Sequence, residues 1–415
     1  ETIYSAAATD SYYSLKDYNL TLPTRNQSTS GLCWAFATLA SVEGSMLKSG
    51  LHTYSNPIRM SPRQMDYATT IASNITEGVN PYANSYRTHL YTSGAYTSTP
   101  YTVLDAGVSP VVEDGTLWSW NSSTVKRSLS ETINTDNVDY YVTGYARYGS
   151  VTASSSRTGT DSWVKKIKQH ILDYGEIAVG TIGPNSTYGG ACVYTDSSGN
   201  VLINKMGTCN SSAGDANSGH SMVIIGWNDN YSYTYCRGTS STSSNTSGCS
   251  DIVTGKGAWI LKNSWGNSTA YPYLAYTSQI DYTYGITSVE SKNWNINYDK
   301  TKVRSFSQPA SKTYEVTYKK DSSTQTLKKI TWKTDYASDT FAVYVKDGNG
   351  SYKTIKTGIT RNSAGLYSVS VSGVNISSNN FTIKVVTNGG SVEDINAFAS
   401  YTTASSSIAL NTVVP

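Results

Sequence analysis

The 415-residue sequence is poor in several residue types, and each shortage excludes a class of protein. It contains five cysteines and four histidines, and only 15% of its residues are charged. The net charge of +3 is too small for a nucleic-acid-binding surface. The sequence has no apolar run long enough to span a membrane, and its first residues, ETIYSAAATD, do not resemble a signal peptide. We therefore expect neither a nucleic-acid partner nor a transmembrane segment.

The chain is instead rich in uncharged polar and aromatic residues. It has 34 tyrosines, 9 tryptophans and 33 glycines, and the remainder is dominated by serine, threonine and asparagine. This composition favours a secreted or cell-surface protein whose signal peptide has been removed. The length predicts two domains, since a single hydrophobic core rarely grows to this size.

Three segments carry apolar residues at helical spacing, each with a start signal. The first helix is predicted to begin near Cys33, after a polar loop that ends with Ser30 and Gly31 as capping residues. A second is predicted from Ser61, and a third over DSWVKKIKQHILDYG, where Gly175 is a stop signal. Short apolar segments such as EIAVGTI, SMVIIGW and GAWILKNSW then predict strands.

From about Ser291 the pattern changes to alternating apolar and polar residues without a helix signal. DTFAVYVKDGNGSYKTI and NNFTIKVVTNGG are typical of strands joined by glycine-containing turns. We therefore predict an α+β protein with a first domain over residues 1–290 and a small all-β sandwich over residues 291–415.

A cysteine at a helix N-terminus is a candidate nucleophile, because the partial positive charge there stabilises its thiolate. Cys33 would need a histidine as its base. Of the four histidines, His220 has the most suitable setting, since NSGHSMVIIGW places it between small residues and a continuous apolar strand. The other histidines lie in less distinctive settings: His52, His89 and His170.

Two amide side chains complete the arrangement. Asn263 follows an apolar strand in GAWILKNSWGN, and its oxygen can accept the second imidazole N–H without adding charge. Trp265 could shelter that bond from water. Gln27 can offer its amide N–H, together with the backbone N–H of Cys33, to a developing oxyanion.

These residues resemble those of a papain-like cysteine peptidase. The resemblance rests on NQSTSGLCWAFA, SGHSMVIIGW and KNSWG, in that order, and covers roughly residues 15–285. It implies a two-lobed fold with a helical and an antiparallel β lobe, and catalytic roles for Gln27, Cys33, His220 and Asn263. The C-terminal segment resembles the lectin-like β-domain of bacterial secreted members.

The resemblance also implies a substrate groove. SGAYTSTPYTVLDAGV is the best match to the groove segment, with Ser93 and Gly94 hydrogen-bonded to a substrate backbone and Ala95 and Tyr96 near the second subsite. The residue before the histidine is Gly219, whose carbonyl could also serve the substrate. Trp265 is assigned to the same groove.

The other four cysteines form an even set. In an oxidising compartment they would pair most simply as Cys192–Cys209 and Cys236–Cys249, although three connectivities exist for four cysteines. A metal site is the rival interpretation, but no Cys-x-x-Cys spacing supports it. We expect neither a metal nor another cofactor.

The leading hypothesis is a secreted, monomeric cysteine endopeptidase that acts on proteins or peptides. Its β-domain would bind a cell-surface or glycan ligand and would not be needed for bond breaking, because every proposed catalytic residue precedes Gly285. Two alternatives remain at this point: a non-catalytic adhesin on a peptidase scaffold, and an acyl transferase that uses the same thioester. The presence of all four catalytic residue types disfavours the first, and Asn263 in place of aspartate disfavours the second.

Overall fold

The computed structural model describes residues 6–69, 94–105, 107–113, 120, 138–185, 190–207, 219–238, 242–298 and 303–402. Within these ranges there are four α-helices: α1 (Cys33–Ser49), α2 (Pro62–Thr69), α3 (Thr99–Asp105) and α4 (Ser162–Tyr174). Three of them confirm the sequence predictions, whereas α3 lies in the segment expected to form the groove. None of the helices in this part of the chain is long and apolar enough to cross a membrane.

The same ranges contain twenty strands. The first ten are β1 (Tyr12–Ser14), β2 (Tyr140–Arg147), β3 (Ile177–Ile182), β4 (Val193–Thr195), β5 (Val201–Ile203), β6 (Gly219–Arg237), β7 (Thr242–Ser243), β8 (Ile252–Lys262), β9 (Tyr273–Ala275) and β10 (Tyr282–Ser291). The others are β11 (Ile296–Tyr298), β12 (Val303–Ala310), β13 (Thr313–Lys319), β14 (Gln325–Thr334), β15 (Asp339–Asp347), β16 (Lys353–Arg361), β17 (Ala364–Ser370), β18 (Asn375–Ile376), β19 (Asn380–Thr387) and β20 (Glu393–Tyr401).

Most strands belong to one large sheet that runs through the whole molecule. Its order is β11-β20-β14-β17-β2-β10-β3-β6-β8-β9-β5-β4, with β1 and β7 on β6 and β18 on β14. The pairs are antiparallel except for β5 with β9. A separate five-stranded sheet has the order β12-β13-β19-β15-β16.

Helix α1 is buried on almost every face, which explains why its apolar residues do not form a single stripe. Its buried residues run from Trp34 to Leu47 with few interruptions, and the helix ends at Gly50 in the left-handed conformation. Helix α4 is amphipathic instead, and the side chain of Asp161 caps it by accepting a hydrogen bond from the Trp163 N–H at 2.9 Å.

The hydrophobic core is divided among several clusters. One packs α4 against β3, β6 and β8, and another surrounds α1 and includes Leu32, Trp34 and Tyr145. A third fills the space between the five-stranded sheet and the C-terminal strands of the large sheet. Leu366 of β17 belongs to the α1 cluster, so the C-terminal strands contribute to the core beneath Cys33.

The contact between β17 and β2 joins the C-terminal strands to the rest of the large sheet. Leu366 pairs with Tyr145 and Gly365 with Ala146. A side chain at position 365 would collide with the carbonyl oxygen of Tyr145, and Gly365 has a φ of 131°, so only glycine allows this close approach.

Candidate active site

Cys33 is the first residue of α1 and is a free, partly buried thiol. The capping residue is Leu32, and it makes no side-chain capping bond. The prediction of Ser30 and Gly31 as capping residues was therefore wrong by one or two positions, because the turn places Ser30 where its Oγ accepts from the Leu32 N–H at 3.4 Å. The expected location of the thiol at the helix N-terminus is confirmed.

His220 lies near the start of β6, with its ring held between Asn263 and the indole of Trp265. Asn263 follows β8, and its Oδ1 is 2.7 Å from His220 Nε2. The Trp265 ring centre is 4.7 Å from the imidazole centre, at an interplanar angle of 34°. Gly219 precedes His220 and is exposed, so its backbone is accessible from solvent.

Asn263 is itself fixed at both ends of its side chain. Its Oδ1 also accepts from the Ser264 N–H at 2.8 Å, and its Nδ2 donates to the Thr269 carbonyl at 3.3 Å. With Nε2 of His220 occupied by Asn263, the other ring nitrogen, Nδ1, is the one available to Cys33.

The electrostatic setting favours the Cys33 thiolate. Burial opposes ionisation, but the hydrogen bond from His220 and its charge, with backbone hydrogen bonds from Ser221 and Trp34, bring the pKa of Cys33 below its ordinary value. A thiol with a lowered pKa, hydrogen-bonded to an imidazole that a third side chain orients, is the arrangement of an activated nucleophile.

Gln27 is buried in the loop before Cys33 and is attached to the loop that follows Asn263. Its backbone N–H donates to the Ser264 carbonyl at 2.8 Å, and its Oε1 accepts from Ser264 Oγ at 2.6 Å. Its Nε2 donates one hydrogen to the Ser30 carbonyl at 2.8 Å. Ser264 was not singled out from the sequence, although it lies inside the KNSWG motif.

Residues 94–97, here called the groove segment, lie beside this arrangement. Gly94 has a φ of 71°, and a Cβ on it would be 3.6 Å from the Gly31 carbonyl oxygen. Tyr96 is 62% exposed and its ring is 5.8 Å from that of Tyr282. Ala95 packs against the α1 cluster. Ser93, predicted with this group, lies outside the described residues.

A hydrogen bond that the sequence did not indicate attaches the groove segment to the strand of His220. The Thr97 Oγ1 and Ser221 Oγ atoms are 2.6 Å apart, and both side chains are buried. Ser221 is also the residue whose backbone hydrogen-bonds the Cys33 sulfur. The groove segment is therefore fixed relative to the Cys33–His220 pair.

Charged side chains lie behind the site, around a small pocket lined by α1 and strands β6 and β8. Glu43 of α1 pairs with Arg59 at 2.9 Å and Arg25 at 3.7 Å. Lys262, the residue before Asn263, pairs with the buried Glu176 at 2.9 Å. We call these five residues the interior charged network. Glu176 and Lys262 lie in the predicted strand segments EIAVGTI and GAWILKNSW, but no sequence pattern indicated that they pair.

Two of the other cysteines form a disulfide that the structure describes completely. Cys236 and Cys249 form the predicted disulfide, 13 residues apart, between the end of β6 and the loop before β8. Cys192 is also disulfide-bonded, but its predicted partner Cys209 lies outside the described residues. Within the residues described, no three His, Cys, Asp or Glu side chains are grouped to hold a metal ion.

Comparison with known proteins identifies relatives of this chain. The sequence profile of the papain family cysteine proteases matches residues 12–294. No curated protein sequence matches. A structure of the clostridial cysteine protease Cwp84 after propeptide cleavage is 18% identical with a TM-score of 0.61, covering 92% of this chain and 87% of that chain. A structure of the cysteine protease and lectin-like domains of Cwp84, a surface layer associated protein of Clostridium difficile, is 19% identical with a TM-score of 0.60. It covers 95% of this chain and 79% of that chain.

Proposed function

The chain belongs to the papain family of cysteine proteases, and from this premise we propose that it is an endopeptidase whose catalytic residues are Cys33, His220, Asn263 and Gln27. The observation that carries the proposal is the position of His220, which hydrogen-bonds Asn263 through Nε2 and lowers the pKa of Cys33. An imidazole held in this way can accept and return a proton at Nδ1.

The reaction would proceed through a thioester. The Cys33 thiolate attacks the peptide carbonyl carbon, and the second Nε2–H of Gln27 and the Cys33 backbone N–H stabilise the oxyanion. The His220 imidazolium gives its proton to the leaving amine as the C–N bond breaks. Water then attacks the thioester, His220 takes its proton, and cleavage of the C–S bond releases the acid and regenerates the thiolate.

We assign substrate binding to the groove segment and the residues around His220. Gly94, with Ser93 before it, would hydrogen-bond the substrate backbone, and Ala95 and Tyr96 would contact a side chain of the substrate. The exposed Gly219 would offer its carbonyl. Trp265 would shield the bond between His220 and Asn263 from water, a role consistent with its ring contact.

We further propose a secreted bacterial enzyme with an accessory domain. Residues 1–290 would form a two-lobed peptidase and residues 291–415 a lectin-like β-sandwich that binds a cell-surface or glycan ligand. The likeness to the protease and lectin-like domains of Cwp84, over 95% of the chain, supports this division. The chain would act as a monomer on protein or peptide substrates.

The test is a chemical and kinetic study of Cys33. Iodoacetamide should alkylate Cys33 near neutral pH, and Cys33→Ala should abolish hydrolysis of fluorogenic peptides with the fold unchanged by circular dichroism. Asn263→Ala should reduce kcat less, because the thiol and imidazole still pair. Full activity in Cys33→Ala would exclude the proposal.

A further inference from the structure

Helix α3 connects the groove segment to the C-terminal strands. The Thr99 N–H donates to the Tyr96 carbonyl at 2.9 Å, so the helix begins where the groove segment ends. At its other end, the Asp105 carbonyl accepts a hydrogen bond from Asn396 Nδ2 at 2.7 Å. Asn396 is in β20, 291 residues later in the sequence, and only 2% of it is exposed.

The side-chain nitrogen of Asn396 donates two hydrogen bonds at this position. Its nitrogen also donates to the Asp394 carbonyl at 3.1 Å, so one NH₂ group joins the end of α3 to the chain of β20. The backbone of Asn396 pairs with Thr331 of β14, in the middle of the C-terminal sheet strands. The donor is therefore carried by a strand that is hydrogen-bonded within the large sheet.

The side chain of Asp105 strengthens the same contact. Its Oδ1 accepts from the Tyr145 hydroxyl at 2.6 Å, and its Oδ2 is 3.9 Å from Lys333 Nζ of β14. Tyr145 pairs with Leu366 across the β2–β17 contact. The last residue of α3 is thus held by three strands, two of which belong to the C-terminal segment.

We propose that Asn396 is a positioning residue for peptide hydrolysis, because it fixes the end of α3 and thereby the groove segment relative to Cys33 and His220. The inference rests on the proposed function, which assigns substrate binding to that segment. Seven residues of α-helix span about 10 Å. A displacement at Asp105 is therefore transmitted to Thr97, whose bond to Ser221 is the other attachment of the segment.

The effect should fall on substrate binding more than on the nucleophile. Cys33 and His220 are held by α1, Asn263 and Ser221, none of which contacts Asn396 in the hydrogen bonds described. Misplacement of a substrate-positioning element by about 1 Å can reduce catalysis by about 10²-fold. A peptide that occupies the groove would therefore lose affinity, while a small thiol reagent would react as before.

The experiment compares Asn396→Asp with Asn375→Asp in the full chain. Aspartate at 396 removes the NH₂ donor and sets a carboxylate against the Asp105 carbonyl. Asn375 is exposed in β18 and accepts from Thr326 through its Oδ1, which aspartate preserves. Asn396→Asp should raise KM for a fluorogenic peptide extending four residues before the scissile bond at least tenfold. Iodoacetamide labelling of Cys33 should stay within twofold of wild type, as should both measurements for Asn375→Asp.

Three results would overturn the inference. An unchanged KM in folded Asn396→Asp would exclude a positioning role, and a lower melting temperature alone would reduce Asn396 to a structural residue. Equal losses in KM and labelling would mean a general distortion of the site. If Asn396→Asp does not fold, Asn396→Ala, which removes the donor without adding charge, is judged by the same criteria. Wild-type protein that cleaves no peptide would contradict the proposed function and this inference with it, whereas the three results above would contradict the inference alone.

Discussion

Two regions hold the active site in place by different means. Behind it, the interior charged network joins α1 and β8 to their surroundings through pairs such as Lys262–Glu176. At the contact with the C-terminal strands, Arg361 donates to the carbonyl oxygens of Tyr145 and Leu366 at 2.8 and 2.9 Å. Among the described residues, Arg361 forms no ion pair with a carboxylate.

The two kinds of contact differ in which change in the protein weakens them. A buried ion pair fixes two side chains, and the loss of one partner leaves an uncompensated charge in the interior. A guanidinium or amide bound to carbonyl groups fixes the main chain, so it depends on backbone position. The first region should therefore respond most to changes of charge, and the second to changes of packing and register.

The largest expected effect comes from breaking one charge pair. Lys262→Met should reduce the free energy of unfolding by about 3–5 kcal/mol, because it leaves Glu176 buried without its cation. The double variant Lys262→Met/Glu176→Leu should recover most of this loss in denaturant-induced unfolding. Lys205→Met is the control, since the Lys205–Asp281 pair is partly exposed and should contribute less than about 1 kcal/mol. Equal losses in the single and double variants would contradict the charge argument.

Packing at the β2–β17 contact should have the next largest effect. Leu366→Ala should cost about 2–4 kcal/mol of unfolding free energy, because Leu366 is 1% exposed in the cluster around α1. Leu327→Ala, in the core between the two C-terminal sheets, is the matched control. Both variants should have a lower free energy of unfolding. Only Leu366→Ala should change the kinetics of peptide hydrolysis under conditions in which both variants are folded. Identical kinetics in the two variants would contradict a specific effect of the β2–β17 contact on the site.

A smaller, pH-dependent effect should come from Asp105. Burial, only partly offset by the Tyr145 hydrogen bond and the Lys333 charge, raises the pKa of Asp105 to about 7. The folded state therefore binds this proton more tightly than the unfolded state, whose pKa is near 4. This stabilisation is complete below about pH 4 and is lost as the pH rises through 7.

Asp105→Asn should therefore remove a slope of about 1 kcal/mol per pH unit between pH 5 and 7, measured by urea unfolding. Burial lowers the pKa of His170 to about 3, so its stabilisation is present above pH 6.5 and is lost as the pH falls. The contribution of His170 is the same in both proteins, so it cancels when the variant's pH profile of unfolding free energy is subtracted from that of the wild type. A flat difference would mean that Asp105 does not titrate in this range.

The residues proposed as catalytic could be singled out from the sequence because each lies in a short motif with its own local structure. Cys33 follows a turn and opens a helix, and His220 and Asn263 flank apolar strands, so local pattern and chemistry were sufficient. The start of α1 at Cys33 was predicted correctly, but its cap was misassigned to Ser30 and Gly31 because the capping residue, Leu32, is apolar.

The supports of the site could not be predicted in this way. The Thr97–Ser221 bond joins residues 124 apart, and the Asn396–Asp105 bond joins residues 291 apart. Strand β2 and its pairing with β17 depend on tertiary register, which periodicity does not encode. The expectation that the C-terminal segment is dispensable for bond breaking stays a prediction, and the Asn396–Asp105 bond is the basis for proposing that this segment affects substrate binding.

The pairing of β17 with β2 also has a consequence for the timing of enzyme assembly. A ribosome makes the chain from its N-terminus, so Cys33, His220 and Asn263 all emerge long before Leu366 and Asn396. Until those later residues arrive, β2 lacks one of its two neighbouring strands and the end of α3 lacks the Asn396 donor. A nascent chain would then carry the residues proposed as catalytic without the full support of the groove segment, and we expect it to bind peptides more weakly than the finished chain.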